Sequence, residues 1–591
     1  MCMAGAQAWA PPAVHVWIDP VPDGRLERCE EGVMAKKGFS LGLDFGTNTA
    51  RALIVDTANG NEIATAVANY PSGSAGIILD KKDPNVARQN PDDWLTAMTK
   101  ATVSALRQAR KTAGFAPDRI IGIGVDATAS TPLPVDAKGA PLCRDRRFKK
   151  NINALAWLWK DHTSFAESQL ITHHAGERHR EYLDKCGGTY SSEWFWSKAL
   201  HCIRVAPTVI EAAATWVEQS DWIPAVLTGN TDVSTWKRNV CAAGHKGMYS
   251  AQWGWPDADF LATLDPRLGN LQTRGYFNPA TPSNQAAGGL SAEWAKKLGV
   301  PADTPVAVGS IDAHLGAVGA GIKPGSLVKI LGTSSCDMMI HPNSSPLPDI
   351  PGLCGIVDGS IVPGFFGMEA GQSAVGDIFN WFVNQFDSGE KAHVKLAQQA
   401  MKLAPGESGL LALDWNNGNR TVLVDPRLTG LIAGLTLHST KAEVYRALIE
   451  GTALGARVIM ERFEEYGVKV EEVINCGGIA EKSPLVMQIY ADVTGRPMRI
   501  SRSAQTCALG AAIFGAVVGG AYDSVEAAQA KMCGLKPKVY KPHPVCHEVY
   551  DELYRLYRQM HDAFGTPDHN GSLHNVMKEL LMIRDRVRGI A

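Results

Sequence analysis

An excess of positive charge is missing from this chain. Its 58 Lys and Arg stand against 60 Asp and Glu, a formal net charge of −2, which removes the bulk electrostatic basis for gripping nucleic acid or an anionic membrane. Long apolar runs are missing as well. The longest, residues 507–522 (CALGAAIFGAVVGGAY), falls short of the roughly 20 residues that a membrane helix needs. Its small residues suit a buried, closely packed helix. Cysteine is sparse, 12 in 591 residues with no Cys-x-x-Cys pair, so neither a zinc ribbon nor a disulfide framework is expected and a cytoplasmic setting is. No Gly-Lys dipeptide occurs, which excludes Walker-type phosphate binding. His173, His174 and His179 lack an HExxH arrangement or a carboxylate at helical spacing, and no metal is expected there. Residues 1–33 lack the basic start and apolar stretch of a signal peptide. They read as a leader without assigned function ahead of Met34.

What is present is a globular composition, 45% apolar and 20% charged, long enough for two or three domains. From Ser40 onward short apolar runs alternate with helical patterns, which argues α/β. SLGLDFG reads as a strand entering a Gly turn, TARALIVD as its returning strand and NEIATAVANY as a third, antiparallel strand. Residues 91–110 switch to helical spacing, with Trp94, Met98, Val103 and Leu106 as the apolar set. The grammar repeats after Pro301: SLVKILGTSSCDMMI is again strand, Gly-Thr turn, strand. This weak duplication, almost 300 residues in period, implies two related α/β domains facing a cleft. Near the end, Tyr550, Tyr554 and Tyr557 share one helix face and read as a packing stripe.

Several residue sets could carry chemistry. Gly46-Thr47-Asn48-Thr49 exposes backbone N–H groups and hydroxyls able to hold phosphate oxygens, though an ordinary hairpin needs the same residues. Asp44 before the turn could hold a Mg²⁺ through water, and Arg51 follows it. Gly332-Thr333-Ser334-Ser335 offers the same turn a second time. Asp312 stands between a strand and a Gly-rich helix start, as a general base or as a helix cap; His314 reads as a structural hydrogen-bonder. Cys476-Gly477-Gly478 ends a strand where a flat base could approach the backbone. On composition alone Lys246 and Glu369 read as surface charges.

Taken in order, LGLDFGTNTARALIVD resembles the first phosphate motif, LGTSSCDM the second and INCGGIAEKSPL the adenosine motif of the actin, hexokinase and sugar-kinase superfamily. GIGVDATASTPLPVD, WLWKDHT, GGTYSSEWFWSKALH, DWIPAVLTG, CAAGHKGMY, GSIDAHLGAVGAG, PGFFGMEAGQSAVGDIFNWF and CALGAAIFGAV narrow the likeness to the FGGY carbohydrate kinases and, within them, to the bacterial ribulokinase branch. It covers residues 40–522. The resemblance implies two ribonuclease H-like domains, 34–323 and 324–591, with ATP and Mg²⁺ between them. It makes Asp312 the general base and puts sugar contacts at Ala129, Lys246, Asp312 and Glu369. Nucleotide contacts fall at Thr47, Arg51, Gly332, Thr333, Gly376 and Gly478, with Asp44 beside them. The implied reaction is phosphorylation of L-ribulose to L-ribulose 5-phosphate in L-arabinose catabolism, by a homo-oligomer, a dimer being favoured, with no nucleic acid or membrane partner. Two rivals stay open: a D-ribulose or pentitol kinase of the same family, and an actin- or chaperone-like nucleotide switch, which would not need Lys246, Glu369 and Asp312 together.

Overall fold

In the computed structural model, residues 37–276, 278–386 and 391–589 are described; the leader 1–33 lies outside the described residues. The first patterned segment forms β1 Phe39–Phe45, β2 Thr49–Asp56 and β3 Glu62–Asn69, an antiparallel meander. Helix α1 Pro91–Ala109 follows, with Asn90 as its cap accepting from the Asp92 N–H and Pro at the first turn, both helix-start signals. Trp94, Met98 and Leu106 are buried as the spacing predicts, but Val103 lies on the solvent side. The buried stripe instead runs through the alanines 97, 101, 105 and 109.

Strand β4 Ile120–Ala127 pairs parallel with β1. A long insertion follows, containing α2 Phe195–Val205 and α3 Val240–Gly247. The chain then returns through β5 Ala286–Gly289, β6 Pro305–Ala307 and β7 Ser310–Ile311 into α4 Asp312–Ala320. The sheet order is β5-β6-β4-β1-β2-β3, with β7 on β4.

The second half repeats this plan. Its strands are β8 Ser326–Leu331, β9 Ser335–Pro342, β10 Gly355–Asp358, β11 Phe365–Ala370, β12 Glu472–Cys476, β13 Met498–Ser501 and β14 Leu535–Tyr540, in the order β10-β11-β9-β8-β12-β13-β14. Helix α5 Gly376–Phe386 follows β11, α6 Gly478–Lys482 follows β12, α7 Thr506–Val518 follows β13, and α8 Pro544–Gly565 follows β14. In both halves a first strand has an antiparallel hairpin partner on one side and a parallel neighbour on the other. The duplicated grammar is thus a duplicated ribonuclease H-like sheet. Tyr550, Tyr554 and Tyr557 are buried in the core of the second half.

The two sheets are joined by helices that only small residues allow. Helix α7 belongs to the second half of the chain yet lies on the first sheet, where Ser40 donates to the Ala512 carbonyl at 2.6 Å. A Cβ added at Gly42 would stand 1.9 Å from the Ala508 carbonyl oxygen, and one at Gly124 would stand 1.7 Å from that of Ala511. Helix α4 packs on α7 equally closely: a Cβ on Gly319 would meet the Thr506 carbonyl at 2.0 Å. Residues 507–518 of the apolar run therefore lie in the buried helix that its composition implies, and 519–522 lead out of it.

Candidate active site

Pleating sends alternate residues of a strand to opposite faces. Ser40, Gly42 and Asp44 thus share the β1 face on which α7 lies, and Gly122, Gly124 and Asp126 share that of β4. The glycines make room for α7. The aspartates stand at the strand ends, just beyond its first turn, where the Cys507 thiol feels the charges of Asp44, Asp126 and Asp312. Register aligns Arg51, Asp44, Asp126 and Ser310 in one row across β2, β1, β4 and β7. Arg51 donates from Nη1 to Asp44 Oδ2 at 2.7 Å. Among the described residues neither oxygen of Asp126 has a donor, although the residue is fully buried, and the buried Ser310 Oγ and Tyr70 Oη are likewise without partners. Burial raises the Asp44 carboxyl against the pull of Arg51. Burial and then the Asp44 and Asp312 charges push Asp126 well above the carboxylate range.

Asp312 opens α4 two residues beyond this row. The cap residue is Ile311, not Asp312; the Asp312 Oδ1 accepts from the Ala313 N–H at 2.7 Å. Burial, followed by the neighbouring Asp44 charge, raises its carboxyl to about 7, the range in which a carboxylate is both charged and usefully basic.

Lys246 and Glu369 are not the surface charges that composition suggests. Lys246, in the last turn of α3, donates to both Glu369 oxygens at 3.1 and 2.9 Å, and both residues are buried. The pair joins the two halves. Burial works to raise Glu369, but Lys246, ahead of the other nearby cations, holds it well below the carboxylate range. Arg420 stands 3.8 Å from the same carboxylate. Cys241, His245 and His314 bring three donor atoms within 4.8 Å of one another beside it. Two cations already on Glu369 oppose a dication there. His314 makes no hydrogen bond among the described residues, its Nε2 standing 3.6 Å from Glu369, and burial lowers it to about 4. Of the earlier histidine cluster, His173 does have a carboxylate at helical spacing, Glu177 at 3.4 Å, but the pair is exposed.

Ala129 follows β4 and packs against Cys241, Ala242 and Ile311, next to Asp312. Its loop is held from beneath. Glu218 accepts from the Ser130 hydroxyl and, at 2.8 Å, from the Thr131 N–H, while Lys198 on α2 donates to the Ser130 carbonyl at 2.8 Å. The surrounding aromatic motif positions α3: Tyr190 donates to the Lys246 carbonyl at 2.6 Å and Trp196 to the Gly247 carbonyl at 2.9 Å.

Each Gly-Thr turn is closed by its glycine N–H at 3.0 Å, but over different spans: Gly46 reaches the Thr49 carbonyl, three residues on, and Gly332 the Ser334 carbonyl, two residues on. Trp159 donates to the Thr47 hydroxyl at 3.0 Å. At the second turn the Gly376 N–H reaches the Gly332 carbonyl at 3.1 Å, and the Thr333 carbonyl accepts from Val375 at 2.9 Å. A Cβ on Gly376 would meet Gly332 at 2.5 Å and Ile479 at 3.0 Å, which brings Gly332, Thr333, Gly376 and the Gly478 segment together. Gly478 itself faces open space. Asp44, Thr47, Arg51, Ala129, Lys246, Asp312 and Glu369 gather around the end of the first sheet; the other four gather around the end of the second.

Residues 39–319 match the N-terminal domain of the FGGY family of carbohydrate kinases, and residues 327–519 match its C-terminal domain. The chain belongs to this family. It is 40% identical to a ribulokinase of Geobacillus thermodenitrificans, over 94% of this chain and 98% of the relative, and 39% identical to one of Mycolicibacterium smegmatis, over 89% and 94%. Its fold matches that of a xylulose kinase from Rhodospirillum rubrum (TM-score 0.73, 24% identity, covering 89% of this chain and 98% of that one). It also matches Plasmodium falciparum glycerol kinase with ADP (TM-score 0.70, 16% identity, 89% and 98%). Membership makes the protein an ATP-dependent carbohydrate kinase and sets aside the bare nucleotide switch. No helix among the described residues is long and apolar enough to cross a membrane.

FGGY kinases use ATP with Mg²⁺. The acidic row of this FGGY kinase suits such a cation: two neighbouring carboxyls, one of them with two oxygens orphaned among the described residues, and Asp312 just beyond them, face a single guanidinium. Asp126, Lys198, Glu218 and Arg420 are the residues that motif reading passes over. For Asp126 a signal existed, an acid at matching positions of two Gly-alternating strands.

Proposed function

We propose that this kinase transfers the γ-phosphoryl group of ATP to the terminal hydroxyl of L-ribulose, giving L-ribulose 5-phosphate for L-arabinose breakdown. The observation that carries the reading is the convergence of Asp312, Asp44 and the Lys246–Glu369 pair at one end of the first sheet. Asp312 feels the charges of all three. The names of its relatives point to the particular sugar.

In this reading Asp312 accepts the proton of the attacking hydroxyl and aims its oxygen along the line of transfer. Lys246 and Glu369, fixed by each other, present one donor and one acceptor edge to the sugar hydroxyls. The small side chain of Ala129 lets the carbon chain lie against the loop backbone. Arg51, Thr47 and the amides of both Gly-Thr turns receive the phosphate oxygens, and Gly478 leaves its backbone open to the adenosine. Asp44 and Asp126 would hold the Mg²⁺, whose charge neutralises the transferring oxygens.

ADP release from purified protein with ATP-Mg²⁺ tests this against L-ribulose, D-ribulose, D-xylulose, ribitol and L-arabinitol. Expected is the highest kcat/KM with L-ribulose. A higher value with D-ribulose or a pentitol moves the assignment to that sugar, and sugar-independent turnover rejects it.

A further inference from the structure

The Lys198 ammonium is completely buried, yet among the described residues no carboxylate accepts from it. Its three N–H donors meet three backbone carbonyls: Ser130 and Leu158 at 2.8 Å, and Trp157 at 3.5 Å. An ammonium has three donors and no acceptor, so these bonds saturate it. Burying a cation is costly unless polar groups compensate it. The three carbonyl dipoles and the charge of Glu218 offset part of that cost, and burial still lowers the amine to about 7. Glu218 fixes the same loop independently through Ser130 and Thr131.

The two strong bonds of Lys198 go to different elements. One holds Ser130, the neighbour of Ala129. The other holds Leu158, whose neighbour Trp159 donates its indole N–H to the Thr47 hydroxyl in the first Gly-Thr turn. Thr47 is fixed on its other side by Gln89, which donates to its carbonyl at 2.7 Å. The series Ala129–Ser130, Lys198, Leu158–Trp159, Thr47 is therefore continuous, and each gap is spanned by one hydrogen bond of 3.0 Å or less.

We propose that Lys198 is a positioning residue that couples the sugar loop to the nucleotide's phosphate turn. Sugar settling against Ala129 fixes the loop, the ammonium transmits that constraint to residues 157–159, and Trp159 sets the Thr47 hydroxyl for the phosphates. Phosphate binding at Thr47 favours the sugar-ready loop in return, since linkage between two sites is reciprocal. Such a device links ATP turnover to sugar occupancy without touching either ligand. It rests on the proposed sugar and phosphate contacts at Ala129 and Thr47.

The test is ligand synergy, measured by calorimetry as the ratio of ADP dissociation constants without and with a saturating, phosphorylatable ketopentose. Coupling between sites commonly amounts to about 5- to 150-fold. Expected for wild type is a ratio of at least about fivefold. In Lys198→Met and Trp159→Phe it should fall to near unity, with ADP binding alone within about threefold of wild type. The double variant should lose no more than either single one, because both cut one series. Trp159→Phe breaks only the last hydrogen bond at a half-buried site, so it decides the matter alone if Lys198→Met does not fold. Unchanged synergy in the variants, or full additivity, overturns the coupling. A wild type that turns over no sugar at all overturns instead the proposed function on which it rests.

Discussion

Replacing Asp312 by Asn separates a base from a helix-start residue. Asn keeps the shape and the acceptor that the Ala313 N–H uses at 2.7 Å, so the first turn of α4 loses nothing. What disappears is a carboxylate raised to about 7 by burial and the Asp44 charge. A positioned general base of that basicity contributes about 10²–10⁴ in rate, or about 3–5 kcal/mol of barrier. Steady-state ADP release at pH 8 should therefore show kcat reduced at least about a hundredfold, with ADP affinity unchanged. The pH profile follows from the same shift. The base works when deprotonated, so wild-type kcat/KM should fall as pH drops through about 7, and the variant should lack that limb. The folded-state pKa lies above the unfolded value, so this carboxyl's cost to stability builds as pH rises through the ordinary carboxylate range and is complete above about 7, and the variant should melt no lower than wild type at pH 8. A kcat within tenfold of wild type, or an acid limb that persists in the variant, would refute the assignment of Asp312 as base.

Further substitutions probe the rest of the site. Lys246→Met leaves Glu369 buried with the His245 and His314 rings at 3.5 and 3.6 Å and Arg420 at 3.8 Å; removing one partner of a buried pair costs about 3–5 kcal/mol, so the melting temperature should drop and sugar KM rise. Adding Glu369→Leu should restore the melting temperature but not turnover, and a double variant that still phosphorylates sugar would show the pair to be structural only. Asp126→Asn should weaken Mn²⁺ binding in the presence of ADP, read by electron paramagnetic resonance; unaltered Mn²⁺ affinity would remove Asp126 from the cation site. Gly124→Ala puts a methyl 1.7 Å from the Ala511 carbonyl, and overpacking of this kind costs about 1–3 kcal/mol or more. Its thermal midpoint should fall clearly, whereas at Gly188, with nothing within 4 Å, the loss should reflect backbone strain at φ 90° alone.

Much of the fold is legible because local patterns and tertiary demands coincide. The strand, Gly-Thr turn, strand segments at 40–56 and 326–340 form as read, since their apolar residues, turn residues and pairing all favour one hairpin. Lys246 and Glu369 are opaque for the opposite reason. Each is an isolated charge in a bland local context, and only the fold brings residues 123 apart in sequence to 2.9 Å. Composition gives the prior for a lone charge, not the partner that makes its burial tolerable. Lys198 is hidden more deeply still, because its partners are backbone carbonyls, which leave no mark on residue type.

The acidic row shows what a finer reading of the same residues yields. Gly42-Leu43-Asp44 and Gly124-Val125-Asp126 are one pattern, Gly-x-Asp, on two neighbouring parallel strands. Period-two geometry places each glycine and its aspartate on the same face. A glycine there signals a close backbone approach, met here by α7. An acid two residues later, about 7 Å farther along the strand, lies past the end of whatever made that approach. The helix is positive at that end, and its dipole favours neighbouring anions. Gly-x-Asp repeated on adjacent strands thus specifies both halves of the arrangement: a helix laid on the sheet and a carboxylate pair standing at its N-terminus, at the carboxyl ends of the strands, where α/β sheets place their ligands.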